Sequence, residues 1–329
     1  MINCENIIDL DALDVTTDNI EQLGTKEKFW FQHPVYNVKC LFKFSRGTTG
    51  EHWSEVVADK ICDELMVPHA NYELAFMTHD DGTNKVKKLG VFAKNVLPEN
   101  FEMIIGNQFL FTYVTNALKE NYPDPLQPTD RSFQKVKEHT VNFVLESLKY
   151  VKVLPEHQLN SNFSLSACDM YCGYLLLDVL ISNQDRHHEN WAVLQGKRDS
   201  KDELFICPSY DHASSLGANI SDEEKKERLE SKDKNRKIPA FTAKARSALY
   251  QNTNDRRPMT TIGAYIEATS HDCSSNNIRG YWNEVLRSSL TPTVIENIIN
   301  SIDDEIISPI SKEFAIAMIK ENRCRILSV

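Results

Sequence analysis

The spacing of hydrophobic and polar positions changes along the chain and predicts two parts of different kinds. Between residues 20 and 95, Phe29, Trp30 and Phe31, and then the run 38–44, are short aromatic and β-branched stretches separated by His33-Pro34 and Asn37. That pattern predicts two strands joined by a turn. The period then lengthens. In 52–66, apolar Trp53, Val57, Ile61 and Leu65 recur every four positions, which predicts an amphipathic helix. Residues 72–77 and 88–96 read as two further strands around a turn at Asp80, Asp81 and Gly82.

After about residue 105 the strand signals thin out, and 109–119, 141–151, 166–182, 294–306 and 311–323 read as helices. Thr291 before Pro292, and Ser308 before Pro309, are the expected starts of the last two. Segment 121–131, holding Pro123, Pro125 and Pro128, reads as a loop within the helical part. The expectation is an α+β chain with two lobes, a β-rich one over 1–107 and a helical one over 108–329.

Composition narrows the class of partner. The 329 residues are 41% hydrophobic, enough for a large core, and 37 Lys and Arg against 47 Asp and Glu leave a net charge of −10. An extended nucleic-acid surface is disfavoured by that balance. No apolar run is long enough for a membrane span, since 170–181 is interrupted by Asp178. The first residues, MINCENIIDLDALD, show no secretory signal pattern. Eight scattered cysteines without a CxxC pair read as reduced thiols, so the expected location is the cytoplasm. Segment 221–237 carries six acidic and seven basic side chains; it reads as a solvated helix or loop laced by pairs such as Glu224 with Arg228, with a recognition insert as the alternative.

The stretch NQDRHHENW, residues 183–191, carries the chemistry. Asp185 and Asn190 stand at the D-x-x-x-x-N spacing of kinase catalytic loops, where a carboxylate meets the acceptor hydroxyl and an amide oxygen reaches magnesium. Short strands at 191–194 and 204–209 follow, and the second delivers Asp211, 26 residues after Asp185, where a second metal carboxylate would stand. Upstream, Lys43 interrupts the strand run Leu41-Phe42-Lys43-Phe44, and Glu55 lies on the next helix, on the flank of small Ala58 and Cys62. A Lys43–Glu55 pair holding the ammonium on nucleotide phosphates is one reading; an edge lysine reaching solvent is the other. Gly24, Thr25, Lys26 and Lys28 form a glycine turn able to cover phosphates, or an ordinary turn. There is no GxxxxGK[ST] P-loop, no GxGxxG and no GxSxG elbow.

Taken together, GTKEKFWF, LFKF, GEHWSEVVADKICDEL, SNQDRHHENW and SYDHASSLG, spread over 24–217, resemble the HipA-like serine/threonine kinases, and most of all their compact members of the cell-translocating kinase A type. The resemblance implies a bilobal protein-kinase-like fold, ATP and Mg2+ as cofactors, and transfer of the γ-phosphoryl group to Ser or Thr hydroxyls, with autophosphorylation. It gives Asp185 the role of catalytic base, Asn190 and Asp211 those of magnesium ligands, His187 that of loop brace, and 92–96, with Phe92, Ala93 and Asn95, that of the adenine-binding hinge. It implies a protein substrate, an aminoacyl-tRNA synthetase or, for an exported effector, a host protein, and a small antitoxin-like partner in place of an N-terminal subdomain. Glu21 stands where some members carry an inhibitory phosphoserine, leaving Thr25, Ser45, Thr48 or Thr49 for that role. A phosphoinositide or small-molecule acceptor, and a silent kinase-fold binding protein, are the alternative functions.

Overall fold

The computed structural model describes residues 2, 7–13, 15, 17–20, 27–47, 49–80, 83–119, 139–158, 164–198 and 201–329. Gly24, Thr25 and Lys26 of the expected phosphate-covering turn, Glu21, Asp81 and Gly82, and the predicted loop 121–131 lie outside them.

Strand alternation builds the first sheet. β1 (Ile8–Asp9), β2 (Thr17–Ile20), β3 (Lys28–His33), β4 (Val38–Phe44), β5 (Tyr72–Asp80) and β6 (Lys85–Lys94) form six strands in the order β1-β5-β6-β4-β3-β2. The period of two sends Phe29, Phe31, Cys40, Phe42, Ala75 and Phe92 to one face, where Leu10 joins them in a small separate core. The opposite face carries the cross-strand pairs Lys28 and Lys43, Trp30 and Leu41, Lys43 and Val91, Leu41 and Ala93, and Tyr72 and Ala93. At the sheet centre, a Cβ on Gly90 would stand 2.4 Å from the Lys43 carbonyl oxygen and 2.5 Å from the Phe42 ring, so only glycine lets β4 and β6 close there.

α1 (Glu51–Leu65) packs on the Lys43 face and is buried more widely than its four-residue period predicts. Besides the apolar stripe it buries Glu51, Ser54, Glu55 and Asp59, because its far side meets the helices of the second part. Met66, in the left-handed conformation at φ 54°, ends it.

The remaining helices are α2 (Gly106–Lys119), α3 (Val141–Leu148), α4 (Ala167–Ile181), α5 (Asp222–Glu230), α6 (Ile238–Ala243), α7 (Thr261–Thr269), α8 (Ile278–Ser289), α9 (Pro292–Asn300) and α10 (Pro309–Leu327). All residues of α4 are buried, as befits a helix apolar on every side. A capping box starts it: Ser166 and Asp169 each accept the other's backbone N–H. Thr291 and Ser308 cap α9 and α10 as expected. α9 stops at Asn300, short of the predicted 306, and Ile302 instead bridges to Ile2.

The second part also holds a sheet: β7 (Phe101–Ile105), β8 (Ala192–Arg198) and β9 (Lys201–Ile206), in that order. β7 pairs with β8, so residues 101–105, inside the expected 1–107 part, join the second sheet rather than the first. The charged segment 221–237 is also not solvated throughout. Glu224 and Arg228 pair at 2.6 Å as predicted, but Lys225 is buried and donates to Ser311 Oγ at 2.7 Å and Asp222 Oδ1 at 3.3 Å. Among the described residues no helix is long and apolar enough to cross a membrane.

Candidate active site

Lys43 points from β4 into the space between the sheet, α1 and the loop after β9. Its Nζ lies 3.0 Å from Asp211 Oδ1 and 3.6 Å from Glu55 Oε1. The residue is only 8% exposed, so the edge-lysine alternative is ruled out. Burial by itself would lower the Lys43 ammonium, but Asp211, Tyr72 and Glu55 outweigh it and hold the group well above the usual lysine value. Glu55 is in turn fixed by the backbone N–H of His212, which donates to its Oε2 at 2.8 Å. One carboxylate thus serves both the lysine and the loop that carries Asp211.

That loop is held in an uncommon conformation. Asp211 has φ 59°, in the left-handed region, and its N–H donates to the buried Tyr72 hydroxyl at 3.0 Å. Next to it, His212 is fully buried; burial, reinforced by Arg186 and His69, keeps it well below the ordinary histidine value and therefore neutral. Its Nε2 shares a 2.7 Å hydrogen bond with Ser209 Oγ. Ser54 Oγ of α1 donates to the Ala213 carbonyl at 2.7 Å, a second tie between α1 and this loop.

Asp185 follows α4, which ends at Ser182 in the left-handed conformation. Its backbone N–H donates to Asn183 Oδ1 at 3.1 Å, and Ser214 Oγ donates to its Oδ2 at 3.4 Å, linking it to the loop of Asp211. Tyr210 makes a second link, its hydroxyl donating to the Glu189 carbonyl at 3.0 Å. The Asp185 side chain remains about half exposed, at 48%. Asn190 is nearly buried, and its amide nitrogen donates to the Asp185 carbonyl at 2.5 Å, which turns its oxygen the other way. His187 stands with Nε2 3.7 Å from Asp185 Oδ1, while its Nδ1 accepts the Glu189 N–H at 3.1 Å and so braces the turn it belongs to.

A pair that sequence reasoning did not assign holds this loop from below. Arg186, wholly buried, donates to both carboxylate oxygens of Asp178 at 2.7 and 2.8 Å and to the Asn190 carbonyl at 3.1 Å. Asn183 Nδ2 adds a 2.8 Å bond to Asp178. The charge of Asp178 inside an apolar helix was the available signal, since a buried carboxylate demands a partner.

Of the three residues expected to receive adenine, two lie within the sheet. Phe92 and Ala93 lie inside β6, flanked on both sides by β4 and β5, so their peptide groups are spent on the sheet. The Phe92 ring packs on the face away from Lys43, against Phe31. Ala93 does share the Lys43 face. Asn95 donates its N–H to the Lys39 carbonyl at 2.9 Å and takes the Leu97 N–H on its Oδ1 at 3.1 Å, so the first peptide groups beyond the ladder follow it. Lys28 sits directly opposite Lys43 on β3. Behind Lys43 the cleft narrows to a small pocket lined by Phe44, Val91 and Ala213 as well as Ser45, Glu51, His52 and Glu55, with about 10 Å³ of room, enough for one water.

No protein-family model matches this chain, and no curated protein matches it. Among solved structures, the crystal structure of a Helicobacter pylori proinflammatory kinase, CtkA, superposes with a TM-score of 0.69 over 98% of this chain and 96% of that one, at 20% sequence identity. The two chains share a fold from end to end.

Proposed function

We propose that this protein is an ATP- and magnesium-dependent kinase that phosphorylates Ser or Thr hydroxyls of a protein. The observation that carries this reading is the convergence of Lys43, Glu55 and Asp211 on one buried ammonium, in a fold shared with a kinase, with Asp185 tied to the same loop through Ser214.

The donor set fits the cation: Asp211 Oδ and the Asn190 side-chain oxygen are the hard oxygen ligands magnesium takes, and Asp211 is about one-third exposed. When bound, magnesium would supply charge neutralisation at the nucleotide phosphates. Lys43, with Glu55 as its second partner, would direct its ammonium at the phosphates. Lys28 adds a second cation on the same face of the sheet. The Val96 peptide and the Leu97 carbonyl, past the end of β6, would receive the adenine edge, since the Leu97 N–H is held by Asn95 and Pro98 has none. Asp185 orients the acceptor hydroxyl and takes its proton as the new P–O bond forms and the bond to the ADP oxygen breaks. Arg186 and Asp178 keep Asp185 and Asn190 in register during this step.

Incubation of the purified protein with labelled ATP, magnesium and a generic protein substrate tests the reading. Transfer to itself or to the substrate is expected, with Asp185→Asn and Asp211→Asn each losing at least ~100-fold. Absence of transfer, or activity retained in both variants, would sink it. Label appearing only in phosphoinositides or a small molecule would change the acceptor and leave the phosphoryl-transfer site intact.

A further inference from the structure

Away from this cleft, Glu146 of α3 meets His271 and Cys273 of the loop between α7 and α8. One ligand atom from each, a carboxylate oxygen, an imidazole nitrogen and the thiol sulfur, lies within 4.8 Å of the other two, and all three residues are half-buried. From this we infer a second metal site, for a divalent transition metal of the zinc type, that clamps α3 to the α7–α8 loop.

Donor chemistry sets the metal class. Thiolate, imidazole and carboxylate together are the ligands of Zn2+ and its substitute Co2+, whereas magnesium and calcium would call for oxygen alone. Three protein ligands leave one tetrahedral position for water. The imidazole is also oriented for the task. His271 Nε2 lies 2.9 Å from Asn142 Oδ1, one turn before Glu146 on α3, and this bond assigns the hydrogen to Nε2. Nδ1 is then the acceptor nitrogen; it faces Cys273 and takes that residue's backbone N–H at 3.2 Å, a hydrogen bond that a metal at Nδ1 would replace. An imidazole that donates one N–H to an outer partner and turns its other nitrogen inward is the arrangement metal-binding histidines use.

Without metal, Cys273 Sγ donates to Glu146 Oε1 at 3.2 Å, and burial together with that carboxylate pushes the thiol up to about 11. Metal uptake would replace this thiol–carboxylate bond, the sulfur binding as thiolate and its proton leaving to solvent. The neighbouring Cys168 is engaged elsewhere, its Sγ donating to the Leu145 carbonyl at 3.3 Å.

The test uses the full chain, stripped with a chelator and titrated with Co2+. A near-ultraviolet sulfur-to-cobalt charge-transfer band saturating at one equivalent is expected, together with a Zn2+-dependent rise in thermal midpoint. Cys273→Ser and His271→Gln should each abolish the band and the shift, while Cys168→Ala and Cys324→Ala keep both. Glu146→Gln, which can still accept from the thiol, should weaken metal binding at least tenfold. No band in the wild-type protein, or a band that survives Cys273→Ser, overturns the assignment. Both readouts are independent of phosphoryl transfer, so failure of the kinase reading and failure of this one are told apart.

Discussion

The Lys43 ammonium lies nearer to Asp211, at 3.0 Å, than to Glu55, at 3.6 Å. Asp211 is thus the nearer partner, and under the proposed magnesium binding Glu55 would be the one that remains. Lys43→Met should therefore lower the transfer rate by about 100-fold, the scale of losing one placed charge at a reacting phosphate. Glu55→Gln should cost less, about tenfold, because the amide oxygen still accepts the His212 N–H and keeps the loop in place. Initial-rate measurements at saturating ATP check both; equal losses would mean that Glu55 acts on the nucleotide directly.

The buried Arg186–Asp178 pair separates stability from function. Removing one partner strands a charge in the interior, so Asp178→Ala and Arg186→Met should each destabilise the protein by about 3–5 kcal/mol. The double variant Asp178→Leu, Arg186→Met should recover most of that stability, since it buries no unpaired charge. Transfer activity should remain low in the double variant, because the Asn190 carbonyl and the Asp178 side chain are no longer joined through the guanidinium. Urea denaturation alongside rate measurements distinguishes this from a purely structural pair, for which activity would return with stability.

What could be read in the sequence was what local periodicity encodes. Lys43 on an alternating strand, Glu55 on a helix of four-residue period, and the spacing of Asp185, Asn190 and Asp211 all follow from neighbours in the chain, and the fold brings Lys43, Glu55 and Asp211 together. That Phe92 and Ala93 lie within the sheet was not legible, because a strand in the middle of a sheet and a strand leaving it have the same alternation; only the pairing of β6 with both β4 and β5 shows it. α7 and α8 were missed because Gly263, Gly280 and the β-branched residues of α7 weaken the helical signal, and packing against α4 supplies what propensity does not. Arg186 and Glu146 escaped because their partners come from other elements.

A pH dependence follows from His139. Trp191 Nε1 donates to its Nε2 at 3.1 Å, and Nδ1 lies 3.0 Å from the Ala248 carbonyl, so both ring nitrogens are used by one neutral tautomer. Burial, reinforced by His188, His187 and Arg186 against the Ala248 bond, pulls the group down to about 3. The unfolded chain takes up the proton near pH 6.5 and the folded one does not. Stability from this group is complete above pH 6.5 and is lost as the pH falls towards 3, with a slope of about 1.4 kcal/mol per pH unit for one proton. His139→Gln can keep both hydrogen bonds without titrating, so between pH 6 and pH 4 its stability should fall less steeply than that of the wild type by about that slope. Parallel profiles in chemical denaturation would show that His139 does not stay neutral.

Two adjacent lysines of the charged segment should behave differently. Lys225 is 4% exposed, donates to Ser311 and Asp222, and lies 5.7 Å from the Trp53 ring centroid, which joins α5 to α10 and to α1, the helix of Glu55. Lys226, on the next position, meets Glu230 at 4.0 Å with both side chains largely exposed. Lys225→Ala should cost about 1–3 kcal/mol, the scale of leaving buried hydrogen-bonding groups unsatisfied, and Lys226→Ala should change stability by no more than about 0.5 kcal/mol. Denaturation midpoints of the two variants decide it. Equal, small effects would mean that the segment is the solvated helix its composition suggests; a large effect at Lys225 alone means that one ammonium anchors an otherwise polar helix beside the cleft.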